Sequence, residues 1–516
     1  MKTLLVNPCL RPDAPHRYLP VGLGYVATAV KEAGIPFDLL DIDINVMSDE
    51  AVESYITRNR YDVIALGAIV THYRWVRDFI HMVKRIQPHC LVVVGNSVGS
   101  SIPEVLFQTA PVDVVILGEA DATIVDVLHA FEKGQSLGAI RTPLEEVTHT
   151  NGEFPACHAG DGIPGIVFRA DDGMIVHTGR RKAIKPIDDL PYPDWDLFDV
   201  ERYFGQQKGF THQTSFYPAD QIRAMPLNTA RGCVFKCTFC HHVFWHDPYR
   251  RRSPESVIGE MRRNQKKWGA NYIEFWDELT FHKWKPAEAF VDALLEADLG
   301  IHWTAAIRAD LLGKKKVPEE DRLRVAEKFV RSGCVALGFS LESGSNMILQ
   351  DMNKHMKSEH FTEQVRLLRK VGLVSDTSVV VGYPRETKET IAETMEMCCQ
   401  ARVYPSVGFL LPLPETGMWA HAMEHNHIPD VEKFLLEVTE RQDVVLNMTT
   451  MSDDELLGET TGWLKQLNQS FGSHLDEESL IKTKGYGQHN QHQDDENDDL
   501  PPEAIGQSLN MALKVG

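Results

Sequence analysis

"TARGCVFKCTFCHH", residues 229–242, places three cysteines within eight residues. The spacing is C-x-x-x-C-x-x-C, from Cys233 through Cys237 to Cys240. Three thiolates are one too few for a closed tetrahedral metal site. Three chemistries are compatible with the pattern. The cysteines can be small buried hydrophobes. They can form a Cys3His zinc site completed by His241 or His242. They can hold an iron–sulfur cluster through three protein thiolates, leaving one iron open to a ligand.

The sequence on either side says what carries this loop. From residue 226 onward, short apolar runs at 226–231, 271–276, 301–307, 334–341, 375–382 and 406–411 alternate with helical patterns. Six such βα units predict a barrel or partial barrel of parallel strands, with the active site on the loops after the strands. The cysteines directly follow the first of these strands. Upstream, "TLLVNP", "PFDLLDID", "YDVIALGAI", "CLVVVGNS" and "VDVVILGE" alternate with helical patterns at 21–34, 49–59, 73–87, 101–109 and 121–132. That alternation predicts a doubly wound α/β domain over 1–135, with its ligand at the carboxyl ends of the strands. The loops there are "NPCLRPDAPHRYLPVG", "AIVTHYRW", "GNSVGSSIPE" and "GEADAT". Their small residues, Gly95, Ser97, Gly99, Ser100 and Gly118, let backbone amides approach a ligand closely. No G-x-G-x-x-G opens the first helix, which counts against a dinucleotide.

Residues 136–225 read as a connector. "GIVFRADDGMIVHTG" predicts a β-hairpin, and "KPIDDLPYPDWDLFD" an extended Pro- and Asp-rich linker. The barrel is expected to end near 430, followed by amphipathic helices over 431–485. Residues 486–516 form an acidic, low-complexity tail expected to be disordered and dispensable for catalysis.

Composition bounds the function. The chain has 516 residues, 43% apolar and 24% charged, so two or three globular domains are expected. Its formal charge of −20 argues against nucleic acid as a partner. No apolar run is long enough to span a membrane. Nine cysteines, scattered apart from the one cluster, point to a reducing cytoplasm.

The cysteine spacing, with Phe239 before the last cysteine and a first barrel strand before the first, resembles the radical S-adenosylmethionine (SAM) superfamily. The resemblance implies that Cys233, Cys237 and Cys240 hold a 4Fe–4S cluster whose open iron binds SAM. It extends over roughly 220–425. "YIEFWDELTF" is similar to the second strand, where Asp277 and Glu278 could receive the SAM amino group. "WTAAIRADLL" is similar to the third, offering Arg308 to the SAM carboxylate. "LGFSLESGSNMIL" is similar to the fourth, offering Ser340 and Glu342. "TSVVVGYPRETKETI" and "FLLPLPETGMWA" are similar to the fifth and sixth.

A doubly wound domain before such a barrel resembles the cobalamin-binding subfamily. The corrin contacts implied are Leu19, Thr71, His72, Gly95, Ser97, Gly118 and Glu119. The D-x-H-x-x-G motif that supplies a cobalt-ligating histidine elsewhere is absent, since Asp13 and His16 are spaced D-x-x-H. Cobalamin is therefore expected without a histidine on cobalt, and neither His16 nor His72 is expected to ligate it.

The activity implied is transfer of a methyl group from methylcobalamin to an unactivated carbon by way of a 5′-deoxyadenosyl radical. The substrate would be a small molecule or natural product, and the electron donor a flavodoxin or ferredoxin. The same architecture could instead run a non-methylating oxidation, cyclisation or rearrangement. A reading of another class is a non-catalytic, zinc-stabilised binding protein.

Overall fold

Strands β1 (Thr3–Asn7), β2 (Phe37–Asp41), β3 (Val63–Gly67), β4 (Leu91–Gly95) and β5 (Val114–Ile116) are runs of mostly apolar, β-branched residues. Four of them are buried nearly throughout, while β2 is half exposed. Burial on both faces is what a helix-covered parallel sheet requires. In the computed structural model they pair in parallel in the order β2-β1-β3-β4-β5. The strand order reverses beside β1, so the crevice at the carboxyl ends of β1 and β3 is the binding position expected of a doubly wound sheet. The structure describes residues 1–481 apart from 13, 15, 139–141, 144–161, 171, 208–216, 219–220, 439–442, 474, 476, 478 and 479. Asp13 and the acidic tail lie outside the described residues.

The predicted hairpin forms, and it is part of this sheet. Strand β6 (Thr142–Pro143) pairs with β8, and β7 (Ile166–Arg169) and β8 (Ile175–His177) pair antiparallel around a turn at Gly173. Strand β7 adds antiparallel to β5, so the N-terminal sheet runs past the expected boundary at 135 to residue 177.

The Pro- and Asp-rich segment is packed more tightly than a linker. Trp195 is fully buried in it, and a Cβ at Gly24 would sit 2.8 Å from the Trp195 ring. This close approach is the reason for glycine inside the helix Val21–Glu32. Tyr203, on the helix Val200–Gly205, donates to Asp41 at 2.7 Å, and Asn7 donates to the same carboxylate at 2.8 Å.

The second sheet has six parallel strands in sequential spatial order: β9 (Ala224–Leu227), β12 (Tyr272–Phe275), β13 (His302–Ala306), β14 (Cys334–Gly338), β15 (Val374–Val381) and β16 (Pro405–Phe409). Helices Pro254–Trp268, Trp284–Ala297, Glu319–Arg331, Ser358–Lys370 and Lys388–Ala401 fill the connections. This is the expected open (β/α)6 barrel. Between β9 and β12, the short strands β10 (Ala230–Arg231) and β11 (Arg250–Arg251) pair antiparallel and close the cysteine loop at its base. The C-terminal helix Asp453–Phe471 starts in a Ser452/Glu455 capping box and ends at left-handed Gly472. It packs on the helix Lys388–Ala401.

The two domains share their cores. One apolar cluster joins Leu19, Tyr25 and Ile44 to barrel residues such as Met225 and Phe275. Another joins Val98, Ile102 and Leu106 to Cys237, Phe239 and Leu410.

Candidate functional site at the facing strand ends

The loops that leave the carboxyl ends of the N-terminal strands meet the loops that leave the carboxyl ends of the barrel strands. Tyr18, after β1, packs against Trp276, after β12, with ring centroids 5.0 Å apart. Ser101, after β4, donates to Glu415, after β16, at 2.9 Å and lies 3.0 Å from His241 Nε2 on the cysteine loop. Glu119 and Asp121, after β5, pair with Arg231 and Arg250 around the base of that loop. The ligand-binding ends of the two sheets therefore open toward one another.

The cysteine loop is held from several sides. Thr238 donates its hydroxyl to Asp351 O at 3.0 Å and its amide to Met352 O at 3.0 Å. Its carbonyl accepts from Met418 N at 2.8 Å. Asn353 donates to Lys236 O at 2.7 Å, and Cys237 Sγ lies 3.9 Å from Asn353 O. Burial pushes the thiols of Cys233 and Cys237 up, while the nearby cations Lys354 and Arg308 pull them down. Among the described residues no three Cys, His, Asp or Glu side chains converge on one metal ion, as a mononuclear zinc site demands. A cluster needs no such convergence, because each thiolate takes its own iron. The two histidines of the zinc reading are placed elsewhere. His241 faces Ser101, and His242 meets Trp245 edge-on with centroids 5.5 Å apart. Burial pushes His242 down to about 3, so it is neutral.

The barrel candidates separate into two kinds. Asp277 accepts from Thr229 N at 2.8 Å, Thr229 Oγ1 at 2.6 Å, Ala230 N at 3.0 Å and Thr280 Oγ1 at 3.0 Å. Its oxygens fix the turn that launches the cysteine loop and are not turned to a ligand. Glu278 is different. It is exposed, next to the base of the cysteine loop. Desolvation, with the Asp277 charge beside it, pushes its carboxyl up to about 7, and one oxygen accepts from Gly232 N at 3.2 Å.

Arg308 stacks 3.7 Å over Phe235 of the cysteine loop and is paired with Asp310 at 2.9 Å. Ser340 accepts from Ser378 at 2.8 Å. Glu342, at φ +62°, sits in the left-handed region and pairs with Lys354 at 2.8 Å. Phe239 is buried edge-on to Tyr383.

Several corrin candidates make contacts within the protein. Leu19 is fully buried in the shared core. Glu119 is buried in the inter-domain ion cluster: Arg250 lies 2.7 Å away, Arg231 lies 3.0 Å away, and Ile184 N donates at 2.9 Å. The stretch expected as a glycine-rich loop is a short helix, Asn96–Ser101. A Cβ at Gly99 would meet Val94 O at 2.9 Å, so the glycine serves helix-on-strand packing. Ser97 accepts from Val70 N at 3.0 Å, and Ser100 accepts from Gly118 N at 3.0 Å. Gly95 precedes that helix, and Gly118 has φ +67°. His72 has one ring nitrogen on Leu10 O and the other 3.3 Å from Thr71 Oγ1. Burial lowers His16, which also bonds the backbone of Gln206.

Sequence reasoning missed Lys354 and the Ser101–Glu415–His246 chain, in which His246 lies 3.3 Å from Glu415. No local motif marks them, and the partners in the Ser101–Glu415–His246 chain are far apart in the sequence.

Two family models match the chain. Residues 11–128 match the B12 binding domain, and residues 227–398 match the radical SAM superfamily. The chain thus carries a B12 binding domain followed by a radical SAM domain. The radical SAM match makes it an enzyme, and the two matches together give it SAM and cobalamin as cofactors. An anaerobic magnesium-protoporphyrin IX monomethyl ester cyclase of Rubrivivax gelatinosus is 26% identical over 77% of this chain and 65% of its own length. A cytidylyl-2-hydroxyethylphosphonate methyltransferase of Streptomyces wedmorensis is 21% identical over 92% of this chain and 90% of its own. In fold, the chain is similar to the radical SAM methyltransferase TsrM of Kitasatospora setae. The TM-score is 0.58 at 16% identity, covering 82% of this chain and 76% of that one. Among the described residues no helix is long and apolar enough to cross a membrane.

Proposed function

We propose that this protein is a methyltransferase acting on an unactivated carbon of a small molecule held between the two facing strand-end mouths. The opposition of those mouths, pinned at Tyr18–Trp276, Ser101–Glu415 and Asp121–Arg231, carries the reading. Bound there, the cluster with SAM supplies hydrogen abstraction, and cobalamin supplies a transferable methyl group. The chain's own part is to bind, orient and exclude water. Cys233, Cys237 and Cys240 hold the cluster. Glu278, once ionised, receives the SAM amino group, and Asp277 keeps the loop in place for it. Gly95 and Gly118, at the strand ends, would hold the corrin. An external one-electron carrier such as flavodoxin or ferredoxin reduces the cluster, and the protein works in the cytoplasm.

The test is anaerobic reconstitution followed by mass analysis of products. A gain of one CH2 supports methyl transfer, and cyclised or oxidised products without that gain overturn it. Replacing Cys233, Cys237 and Cys240 together by Ala is expected to abolish 5′-deoxyadenosine release, whereas Cys334→Ala, in buried β14, keeps it. Release from the triple variant refutes the cluster assignment.

A further inference from the structure

Beneath the cysteine loop lies an ion pair of opposite charges, withdrawn from solvent. The side chains of Lys354 and Glu342 are 11% and 7% exposed, with Nζ 2.8 Å from Oε1. Lys354 follows Asn353, which touches the loop through Cys237 Sγ and Lys236 O. Its carbonyl accepts from Arg308 at 2.6 Å, and its Nζ lies 5.8 Å from the ring of Phe239, the neighbour of Cys240. Holding two ionised groups out of water is costly, and an apolar pair of similar volume would often serve folding as well. The position beside the three thiols gives the pair something else to act on.

We propose that the Lys354–Glu342 pair sets the reduction potential of the cluster. The inference rests on the reading that the three cysteines hold that cluster. Reduction adds one electron and no proton to a site already made negative by three thiolates. A fixed cation nearby stabilises the added charge, and a fixed anion opposes it, more strongly than in water because the surroundings are poorly polarisable. The lysine points its charge at the loop, with Nζ 5.8 Å from the Phe239 ring, and its ion pair with Glu342 at 2.8 Å holds both groups ionised. The pair therefore sets one charge of each sign beside the cluster loop.

The test uses the full chain, reconstituted anaerobically, without SAM. The midpoint is read from the electron paramagnetic resonance signal of the reduced cluster in a dithionite titration with mediators. Lys354→Met is expected to lower the midpoint, Glu342→Gln to raise it, and the double variant to return close to the parent. Structural damage would not move two partners in opposite directions. Single variants that shift together, or that leave the midpoint unchanged at full iron and sulfide content, overturn the proposal. So does an unchanged midpoint with weakened SAM binding, which would make the pair a SAM contact. If Lys354→Met fails to assemble a cluster, the comparison of Glu342→Gln with the double variant decides. Failure of the parent chain itself to take up iron and acid-labile sulfide would refute the cluster assignment and not the pair.

Discussion

Arg231→Met tests how firmly the two domains are held mouth to mouth. Arg231 lies in β10 with its side chain 8% exposed and donates to both oxygens of Asp121, at 2.9 and 3.0 Å. It also donates to Glu119 at 3.0 Å. In the variant, Glu119 keeps Arg250 and the Ile184 amide, so the loss falls on Asp121. Breaking a buried pair from one side costs about 3–5 kcal/mol. Asp121 is the first residue of the helix Asp121–Lys133, whose N-terminus returns up to about 1 kcal/mol to a nearby carboxylate. The expected loss is therefore about 3 kcal/mol, measured by urea unfolding of the metal-free full chain.

The loss should also depend on pH. In the parent, burial pushes Asp121 up but Arg231 outweighs it, and the carboxyl lies below its ordinary range. A lowered folded pKa contributes stability that is present above the unfolded pKa and lost as pH falls through the folded one. In Arg231→Met only the backbone hydrogen bond at the helix start and the more distant Arg250 still oppose burial, and the folded pKa is expected to rise above the unfolded one. Stability is then lost as pH rises from the ordinary carboxylate range, so the gap from the parent is wider at pH 8 than at pH 5. Arg231→Met/Asp121→Leu should recover most of the loss. A loss under about 1 kcal/mol, or one that does not change with pH, would refute the reasoning.

Glu278 must be charged to pair with the SAM amino group. With its carboxyl at about 7, SAM affinity in the anaerobically loaded protein should rise about tenfold between pH 6 and pH 8. Equilibrium binding should show Glu278→Gln weak and flat over that range. His72→Ala should leave the electron paramagnetic resonance of the cob(II)alamin protein unchanged, because both ring nitrogens are occupied; nitrogen splitting that vanishes in the variant would make it a cobalt ligand. Gly99→Ala brings a Cβ to 2.9 Å from Val94 O and should cost about 1–3 kcal/mol in denaturant unfolding.

The chain's local chemistry already specified both sheets and the cluster loop. Strand runs such as "LVVVG" of β4 and "VSDTSVVV" of β15 are marked by period and β-branching, signals confined to a few neighbouring residues. The cysteines are legible for the same reason, since their ligand spacing spans eight residues of one loop. Residue roles were less legible. Asp277 and Glu278 are adjacent and chemically alike, yet one is saturated by Thr229, Ala230 and Thr280 while the other is exposed, its carboxylate accepting from Gly232 N. Gly99 and Glu119 carry the residue types of a ligand loop but are needed for packing and for an ion cluster. The Arg231–Asp121 and Ser101–Glu415 contacts join positions 110 and 314 residues apart. Only the folded chain brings such groups together, because what a polar side chain does depends on which partners the packing delivers and how much water it leaves. The sequence by itself thus determined the two sheets and the three-thiolate loop, which depend on local periodicity and spacing. The tertiary structure decided that the two mouths face each other and which carboxylate in them stays open.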